Sequence, residues 1–252
     1  MTPFSLALAV GLVALLYASV GHAGATGYIA VMTLAGLEPA TIRPTALLLN
    51  VLVAGIATIQ FWRAGHCSWN LLLPLAATSV PCAALGGSLD LSAVVFSRLI
   101  GATLLLSAAR LALEAGGALE SRGAGTSPRA PGTLWGGALP VLGAAIGLLS
   151  GLTGVGGGVF LTPLLLAIDA APIKTVAAVT APFILVNSLA GLAGGVAAGK
   201  SLAWPSPVVL LAAAGGGLAG ASCGAYLLPA KSLRILMACV LTLAGLKLLS
   251  GR

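Results

Sequence analysis

Long apolar runs are the feature that most constrains this chain of 252 residues. A membrane-spanning helix needs about 20 mainly apolar residues, and several runs approach or reach that length, such as 70–88 and 91–113. Only 7% of the residues are charged, whereas an average soluble domain has about 25%. The runs also lack the alternation of polar and apolar residues that is typical of barrel strands. The sequence therefore predicts an all-α polytopic membrane protein.

Ten apolar segments are separated by short polar stretches. They fall near residues 4–20, 25–37, 45–62, 70–88, 91–113, 134–150, 157–168, 174–198, 205–227 and 231–249. The linker at 114–133 is rich in Gly, Ser and Pro, a composition typical of a flexible connection. We therefore divide the chain into a first transmembrane repeat at 1–113, this linker, and a second transmembrane repeat at 134–252.

The two halves resemble each other in sequence. Adding 131 carries Gly27 to Gly158, Leu34 to Leu165, Leu37-Glu38 to Ile168-Asp169, and Ile42-Arg43 to Ile173-Lys174. Each half has about five hydrophobic segments. Because that number is odd, the second copy enters the membrane from the opposite face, which predicts inverted repeats, a common transporter architecture. The number of spans per half is still odd if the first two segments of a half form one re-entrant hairpin, because three spans remain.

A glycine-rich stretch at 150–163 interrupts the second half. Each glycine disfavours a helix by about 1 kcal/mol relative to alanine. Irregular backbone at membrane depth persists only where protein buries it or where it lines a cavity. The stretch therefore predicts a break in a helical bundle, with free N–H groups that can bind an anion. A short segment follows the glycines in each half, at 25–37 and 157–168, and such matched segments indicate a transporter binding site.

These glycine stretches resemble motifs of a known family. Tyr17-Ala-Ser-Val-Gly-His-Ala-Gly-Ala-Thr-Gly27 and Gly151-Leu-Thr-Gly-Val-Gly-Gly-Gly-Val-Phe-Leu-Thr-Pro163 are similar to the paired motifs of the sulfite exporter TauE/SafE family, over nearly the whole chain. The first motif departs from the family pattern at His22, Ala23 and Ala25, where glycines are common. The resemblance implies a bacterial inner-membrane exporter of sulfite or organosulfonates. It does not name the substrate, because many members have none assigned.

The candidate substrate-binding residues lie in the two glycine motifs and in the segments after them. Oxyanions need convergent donors, which helix N-termini, glycine backbone and hydroxyl groups can supply. The candidates are Ser19, Gly21, His22, Gly24, Thr26, Gly27 and Asn50 in the first half, and Ser150, Thr153, Gly154, Gly156, Gly157, Gly158, Thr162 and Asn187 in the second. We predict no catalytic residue, no metal site and no cofactor.

Packing is the alternative interpretation of the glycines. Gly154 and Gly158 have the small-xxx-small spacing that also marks close helix contacts without a ligand. Packing is the favoured interpretation for three further series, which are Gly143/Gly147/Gly151, Gly191/Gly195/Gly199 and Gly216/Gly220/Gly224. At 150–158 the consecutive glycines, the short segment after them and the matching motif in the first half favour a binding site.

The polar candidates also allow two interpretations. His22 is either a functional intramembrane group or a hydrogen-bonding group at a helix interface. Asn50 and Asn187 can donate amide hydrogen bonds to a substrate or to a neighbouring helix. Arg43 and Lys174 occupy matching loop positions, where they either form ion pairs or attract substrate at two vestibules.

The function predicted first is transport of small sulfur oxyanions, such as sulfite and sulfonates including sulfoacetate, across the bacterial inner membrane. Another small anion, such as a carboxylate or thiosulfate, and a non-transporting membrane subunit are the alternatives. An enzyme is not expected, because the chain has two histidines and no carboxylate within a predicted span. The expected partners are the anion and the bilayer, with a homo-oligomer left open. Nucleic acid is not expected, because the basic residues do not cluster.

Overall fold

The computed structural model describes residues 2–89, 135–168 and 170–229, with isolated positions between 105 and 112 and between 231 and 246. All secondary structure in this part of the chain is helical, which confirms the all-α prediction. The helices are α1 Pro3–Ser19, α2 Ala25–Leu34, α3 Pro39–Arg63, α4 Trp69–Ser88, α5 Trp135–Thr153, α6 Gly158–Ala167, α7 Ile173–Ala197 and α8 Pro207–Ser222, which continues as a π-helix over Cys223–Leu227. The linker at 114–133 lies outside the described residues, and so do most of the segments at 91–113 and 231–249.

Four helices among the described residues are long and apolar enough to cross a membrane. They are Thr41–Arg63, Trp69–Ser88, Ile173–Ala197 and Pro207–Leu227. Shorter apolar helices accompany them, over Phe4–Ser19 and Leu139–Thr153, and α2 and α6 have only ten residues each. Large apolar side chains such as Phe4 and Leu211 are more than 70% exposed, as expected where lipid covers a surface. The chain is a multi-pass membrane protein.

The structure corrects three of the predicted boundaries. Helix α3 begins at Pro39 instead of residue 45, because a proline fits the first helical position, where no N–H partner is needed. Arg43 and Lys174 therefore lie at the starts of α3 and α7, and not in loops. The break predicted at 150–163 is confined to Gly154–Gly157. The remainder is helical because backbone groups in a membrane must be bonded within the protein.

Helices α3 and α7 pack against each other at the centre of the bundle. The pair α1 and α8 packs on α3, and the pair α4 and α5 packs on α7. Two buried apolar clusters follow this arrangement, and α7 contributes side chains to both. The central helices are therefore the elements against which all the others are positioned.

Glycines bring both outer pairs into backbone contact. In α5, three glycines abut the main chain of α4, with Gly143, Gly147 and Gly151 against Leu75, Ser79 and Ala83. In α8, three glycines abut the main chain of α1, with Gly216, Gly220 and Gly224 against Gly11, Leu15 and Ser19. Because the contacts advance in the same order on both helices, each pair is parallel. The packing interpretation is confirmed for these two series.

The packing interpretation is wrong in part for the third series. A Cβ on Gly194, which is not one of the three, would collide with the main chain of Ala84 in α4. Gly191 is at ordinary contact distance, and Gly199 has open space around it. Gly199 instead follows the last turn of α7 with a φ of 78°, a position at which glycine commonly ends a helix.

We expect Gly220→Ala to lower the thermal stability of the protein in detergent. The added Cβ would meet the Leu15 carbonyl, and overpacking of this kind costs about 1–3 kcal/mol. Gly215→Ala on the same helix is the matched control, because nothing lies within 4 Å of its Cβ position and alanine favours a helix by about 1 kcal/mol. Equal unfolding temperatures for the two variants would contradict the close contact of α1 and α8.

Candidate functional site

The first break covers Val20–Gly24, between α1 and α2. Gly21 and Gly24 have φ angles of 76° and 104°, a region that residues with a Cβ rarely adopt. A Cβ on Gly21 would also lie 2.7 Å from the Cα of Ala177 in α7. Glycine is therefore required here both by the backbone conformation and by the close approach of α7.

Tyrosine side chains fold α1 and α2 into a hairpin around the first break. The Tyr28 hydroxyl donates to the Ala23 carbonyl at 2.5 Å, and the hydroxyls of Tyr17 and Thr26 lie 3.0 Å apart. Gly27 allows the two helices to approach, because its Cβ position lies against the side chain of Val13. Helix α2 therefore returns along α1 instead of continuing it.

The second break covers Gly154–Gly157, between α5 and α6. Gly154, Gly156 and Gly157 have φ angles of 73°, 81° and 80°. A Cβ on Gly156 would lie 2.8 Å from the Nδ2 of Asn50 in α3 and 2.9 Å from the Oγ of Ser188 in α7. The second break is therefore enclosed by the two central helices.

Main-chain N–H groups in both breaks are free. Within the described part of the chain, no acceptor pairs with the N–H groups of Gly156, Gly157 and Gly158, or with those of Ala23, Gly24 and Ala25. These groups begin α6 and α2, where the helix dipole places about half a positive charge. Each break therefore presents donors and a positive potential that come from the main chain itself.

Side chains bond some of the carbonyl groups at the breaks. Asn50 Nδ2 donates to the Val155 carbonyl at 3.3 Å, and His22 Nδ1 bonds the Val20 carbonyl at 3.2 Å. Arg43 donates from Nη2 to the Gly151 carbonyl near the end of α5. The free amides at the starts of α2 and α6 are groups that suit an anion.

Four buried side-chain atoms have no hydrogen-bond partner within the described residues. They are His22 Nε2, Asn50 Oδ1, Ser150 Oγ and Asn187 Oδ1. All four residues are at most 2% exposed, and all four were predicted from sequence as site residues. An unsatisfied buried polar atom costs about 1–3 kcal/mol, so these four atoms are candidates for bonds to a ligand or to buried water.

The unpartnered atoms lie around the second break. The His22 imidazole lies beside the main chain of Gly158, the first residue of α6. The Ser150 Cβ is 3.2 Å from the Cβ position of Gly157. A histidine from the first break thus reaches the second break, and the two breaks meet.

Asn187 approaches the same place from α7. Its Nδ2 donates to the Phe183 carbonyl at 2.9 Å, one turn earlier in the helix. The Phe183 ring lies 3.0 Å from the Cβ position of Gly157. Asn187 thus lies one helical turn from a residue that contacts the second break, and Asn50 contacts the break directly from α3.

The hydroxyl groups of four other predicted site residues are engaged within the protein. Ser19 and Thr153 donate to main-chain carbonyls one turn earlier, at Leu16 and Leu149, both at 2.7 Å. Thr26 pairs with Tyr17, and Thr162 pairs with Thr180 at 3.0 Å. These side chains hold the hairpins and helices in position around the site.

Sequence reasoning missed two residues near the site. Ser188 lies 3.5 Å from Asn50 Nδ2, and its position beside Asn187 in an apolar span was the available signal. Lys200 donates from Nζ to the Gly87 and Leu89 carbonyls at 3.2 Å each, at the end of α4 that Arg43 also contacts. No local pattern indicates that contact, because α4 and Lys200 are far apart in sequence.

Comparison with known proteins identifies the family. The family described as Sulfite exporter TauE/SafE matches residues 6–248. The chain belongs to the TauE/SafE family. It is similar to the protein named "Probable membrane transporter protein y4hK" of Sinorhizobium fredii (strain NBRC 101917 / NGR234), with 42% identity over 244 residues and 97% of each chain covered. No solved structure matches the chain.

Membership in the TauE/SafE family confirms the resemblance of the glycine motifs. It also confirms that the chain is a membrane transporter and not an enzyme. In the described part of the chain, no three His, Cys, Asp or Glu side chains are grouped to hold a metal ion. The breaks are therefore the features from which a transport site can be built.

We expect Gly156→Ala to destabilise the transporter by about 1–2 kcal/mol for the left-handed backbone and by about 1–3 kcal/mol more for overpacking. The added Cβ has no room beside Asn50 and Ser188. Gly199→Ala is the matched control, because Gly199 has a similar φ of 78° and open space around its Cβ position. Thermal unfolding in detergent measures the difference, and equal losses would show that the second break is not enclosed.

Proposed function

We propose that this TauE/SafE transporter exports small sulfur-containing oxyanions, such as sulfite and sulfonates including sulfoacetate, across the bacterial inner membrane. The observation that carries the proposal is the set of main-chain N–H groups at the starts of α2 and α6 that have no acceptor among the described residues. Free amides at a helix N-terminus are the usual means of binding an oxyanion. His22 Nε2 and Ser150 Oγ, both buried and unpartnered, lie beside these amides.

Membrane potential is sufficient as the driving force in this proposal. Each negative charge that leaves a negative cytoplasm gains about 2.3 kcal/mol per 100 mV. The acidic residues in the sequence, Glu38, Asp90, Glu114, Glu120 and Asp169, all fall at the ends of predicted spans or between them. A carboxylate relay through the membrane is therefore not part of the proposal. His22 is the residue that would carry a proton if export were coupled to protons.

We further propose that the two halves are inverted repeats. Helices α1 and α8 are parallel, and so are α4 and α5. Helix α3 is parallel to α8, since Thr45 bonds the Ala203 carbonyl before α8 and Tyr226, after it, bonds the Gln60 carbonyl near the end of α3. Arg43, at the start of α3, bonds the Gly86 carbonyl at the end of α4. Helices α1 and α5, which occupy corresponding places in the two halves, consequently run in opposite directions.

The central helices α3 and α7, which also correspond in the two halves, run in opposite directions as well. Lys200, just after α7, and Arg43, at the start of α3, both bond the Gly87 carbonyl of α4. The end of α7 therefore lies beside the start of α3, and these two corresponding helices are antiparallel. In each half the hairpin at the break is proposed to be a re-entrant pair. With the segments that the sequence predicts at 91–113 and 231–249, most of which lie outside the described residues, each half then has an odd number of spans, as inversion requires.

Basic residues at the two ends of the bundle are proposed to form vestibules for the anion. Arg43 and Lys200 lie at the end where α4 and α7 finish. Lys174 lies at the opposite end, where its Nζ is 3.5 Å from the Ala225 carbonyl. Positive charge at both mouths raises the local concentration of an anion, which a transporter needs on the side of uptake and on the side of release.

We expect reconstituted protein to move sulfite at a rate that follows an imposed membrane potential. Efflux from proteoliposomes should be faster with a negative interior, because net negative charge crosses the membrane. A potassium gradient with valinomycin sets the potential, and a separate pH gradient is imposed with the potential held at zero. A flux that ignores the potential and follows the pH gradient would refute potential-driven export.

The two glycine variants provide the control for this flux. Gly156→Ala should abolish the potential-driven flux, while Gly199→Ala should retain it, although both carry the left-handed backbone strain. Thermal shifts with sulfite, sulfoacetate, thiosulfate, sulfate and carboxylates compare the candidate anions, since a ligand bound only by the native state stabilises it. An equal shift for every anion would refute selectivity for sulfur oxyanions.

A further inference from the structure

The amide orientations of the two buried asparagines are fixed by their neighbours. Asn50 and Asn187 each donate from Nδ2 to a main-chain carbonyl, of Val155 and Phe183 respectively. A flipped amide would direct its oxygen at a carbonyl oxygen, which cannot donate. The unpartnered atom of each amide is therefore the acceptor Oδ1. For Asn50 the structure shows the second of the two interpretations from sequence, in which the amide donates within the protein.

His22 is constrained in the same way. Its Nδ1 bonds the Val20 carbonyl at 3.2 Å, and because a carbonyl only accepts, Nδ1 carries the hydrogen. In the neutral ring the second nitrogen, Nε2, is then an acceptor, and it is this atom that lacks a partner among the described residues. Three of the four unpartnered side-chain atoms at the site are acceptors, and the fourth, Ser150 Oγ, can donate or accept.

The site therefore offers two complementary sets of groups. The free main-chain N–H groups of the breaks are donors, and the free ends of His22, Asn50 and Asn187 are acceptors. The N–H groups are free because they lie at helix starts, and the acceptor ends are free because the side chains use their donor ends on carbonyls. An anion with acceptor oxygens alone can satisfy the first set and leaves the second unsatisfied. Buried acceptors without a donor keep their cost of about 1–3 kcal/mol each.

We propose that the site selects anions that also carry a hydrogen-bond donor. The class comprises hydrogen sulfite and sulfonates with a hydroxyl or ammonium group. Their charged oxygens accept from the main-chain amides, while their donor group bonds the acceptors of Asn50, Asn187 or His22. Sulfate, thiosulfate, unsubstituted alkanesulfonates and sulfoacetate with its carboxyl group ionised lack such a donor and are disfavoured, so that the inference removes sulfoacetate from the proposed substrates. This inference rests on the proposed transport of sulfur oxyanions and narrows it to one chemical class.

A matched pair of sulfonates tests the selection. 2-Hydroxyethanesulfonate and ethanesulfonate carry the same charge and differ by one hydroxyl group. Isothermal titration calorimetry on the purified full-length protein in detergent should give a dissociation constant about tenfold lower for the hydroxylated ligand, which corresponds to about 1.4 kcal/mol. The comparison needs no variant, so a misfolded mutant cannot obscure it.

Substitution of one acceptor then tests the assignment. Asn187→Leu should weaken binding of 2-hydroxyethanesulfonate and leave ethanesulfonate nearly unchanged, which removes most of the tenfold preference. Thr58→Val is the control, because Thr58 also bonds the carbonyl one turn earlier in its helix, at 2.7 Å from Ala54, and has no unpartnered atom. It should keep the preference.

The outcomes separate this inference from the proposed function. Equal affinity for the two sulfonates, or tighter binding of ethanesulfonate, overturns the selection while anion transport stands. A preference that persists in Asn187→Leu, in Asn50→Leu and in His22→Leu alike overturns the assignment of the acceptors. If neither the two sulfonates nor sulfite bind the wild-type protein, the proposed function fails, and this inference fails with it.

Discussion

A bilayer offers no hydrogen bonds, and this constraint accounts for most of the structure. Every backbone group within the membrane has to be bonded by the protein. The two breaks therefore cost free energy, because they interrupt the helical hydrogen bonds. Helices α3 and α7 enclose the second break so closely that a Cβ on Gly156 would meet Asn50 and Ser188. Side chains bond the Val20 and Val155 carbonyls, while the N–H groups at the starts of α2 and α6 have no acceptor among the described residues. These N–H groups give the site a positive character.

The same capping groups determine the character of the remaining site. Asn50 and His22 each have one donor end and one acceptor end, and each uses the donor end on a carbonyl. Arg43 caps the Gly151 carbonyl from outside the break, so the charge of its guanidinium stays at the end of the bundle. The side-chain acceptors thus follow from the bonds to the carbonyls, whereas the main-chain donors are free because they lie at helix starts.

Sequence reasoning could find the helices, both breaks and the four residues with unpartnered atoms, because these depend on local composition and on positions of polar residues in apolar spans. It could not find which hydroxyls the protein would use itself. Ser19 and Thr153 look like ligands in sequence, yet each bonds its own helix. It also predicted too wide a break, since glycine propensity is outweighed by the need to bond backbone groups in lipid. Sequence reasoning also could not find the contact between His22 and Gly158, because these residues lie in segments that are far apart in the chain.

Neither half of the chain contains a complete set of groups for the anion. The first half supplies the acceptors of His22 and Asn50, and the second supplies Ser150, Asn187 and the enclosed break. Because a ligand at this place bonds both halves, it stabilises the arrangement in which they are together, and its departure removes bonds from both. In the proposed inverted repeats the two ends of the bundle are held by different cations, Arg43 with Lys200 at one end and Lys174 at the other. A movement that loosens one end can thus leave the other closed, which is what alternating access to a single central site requires.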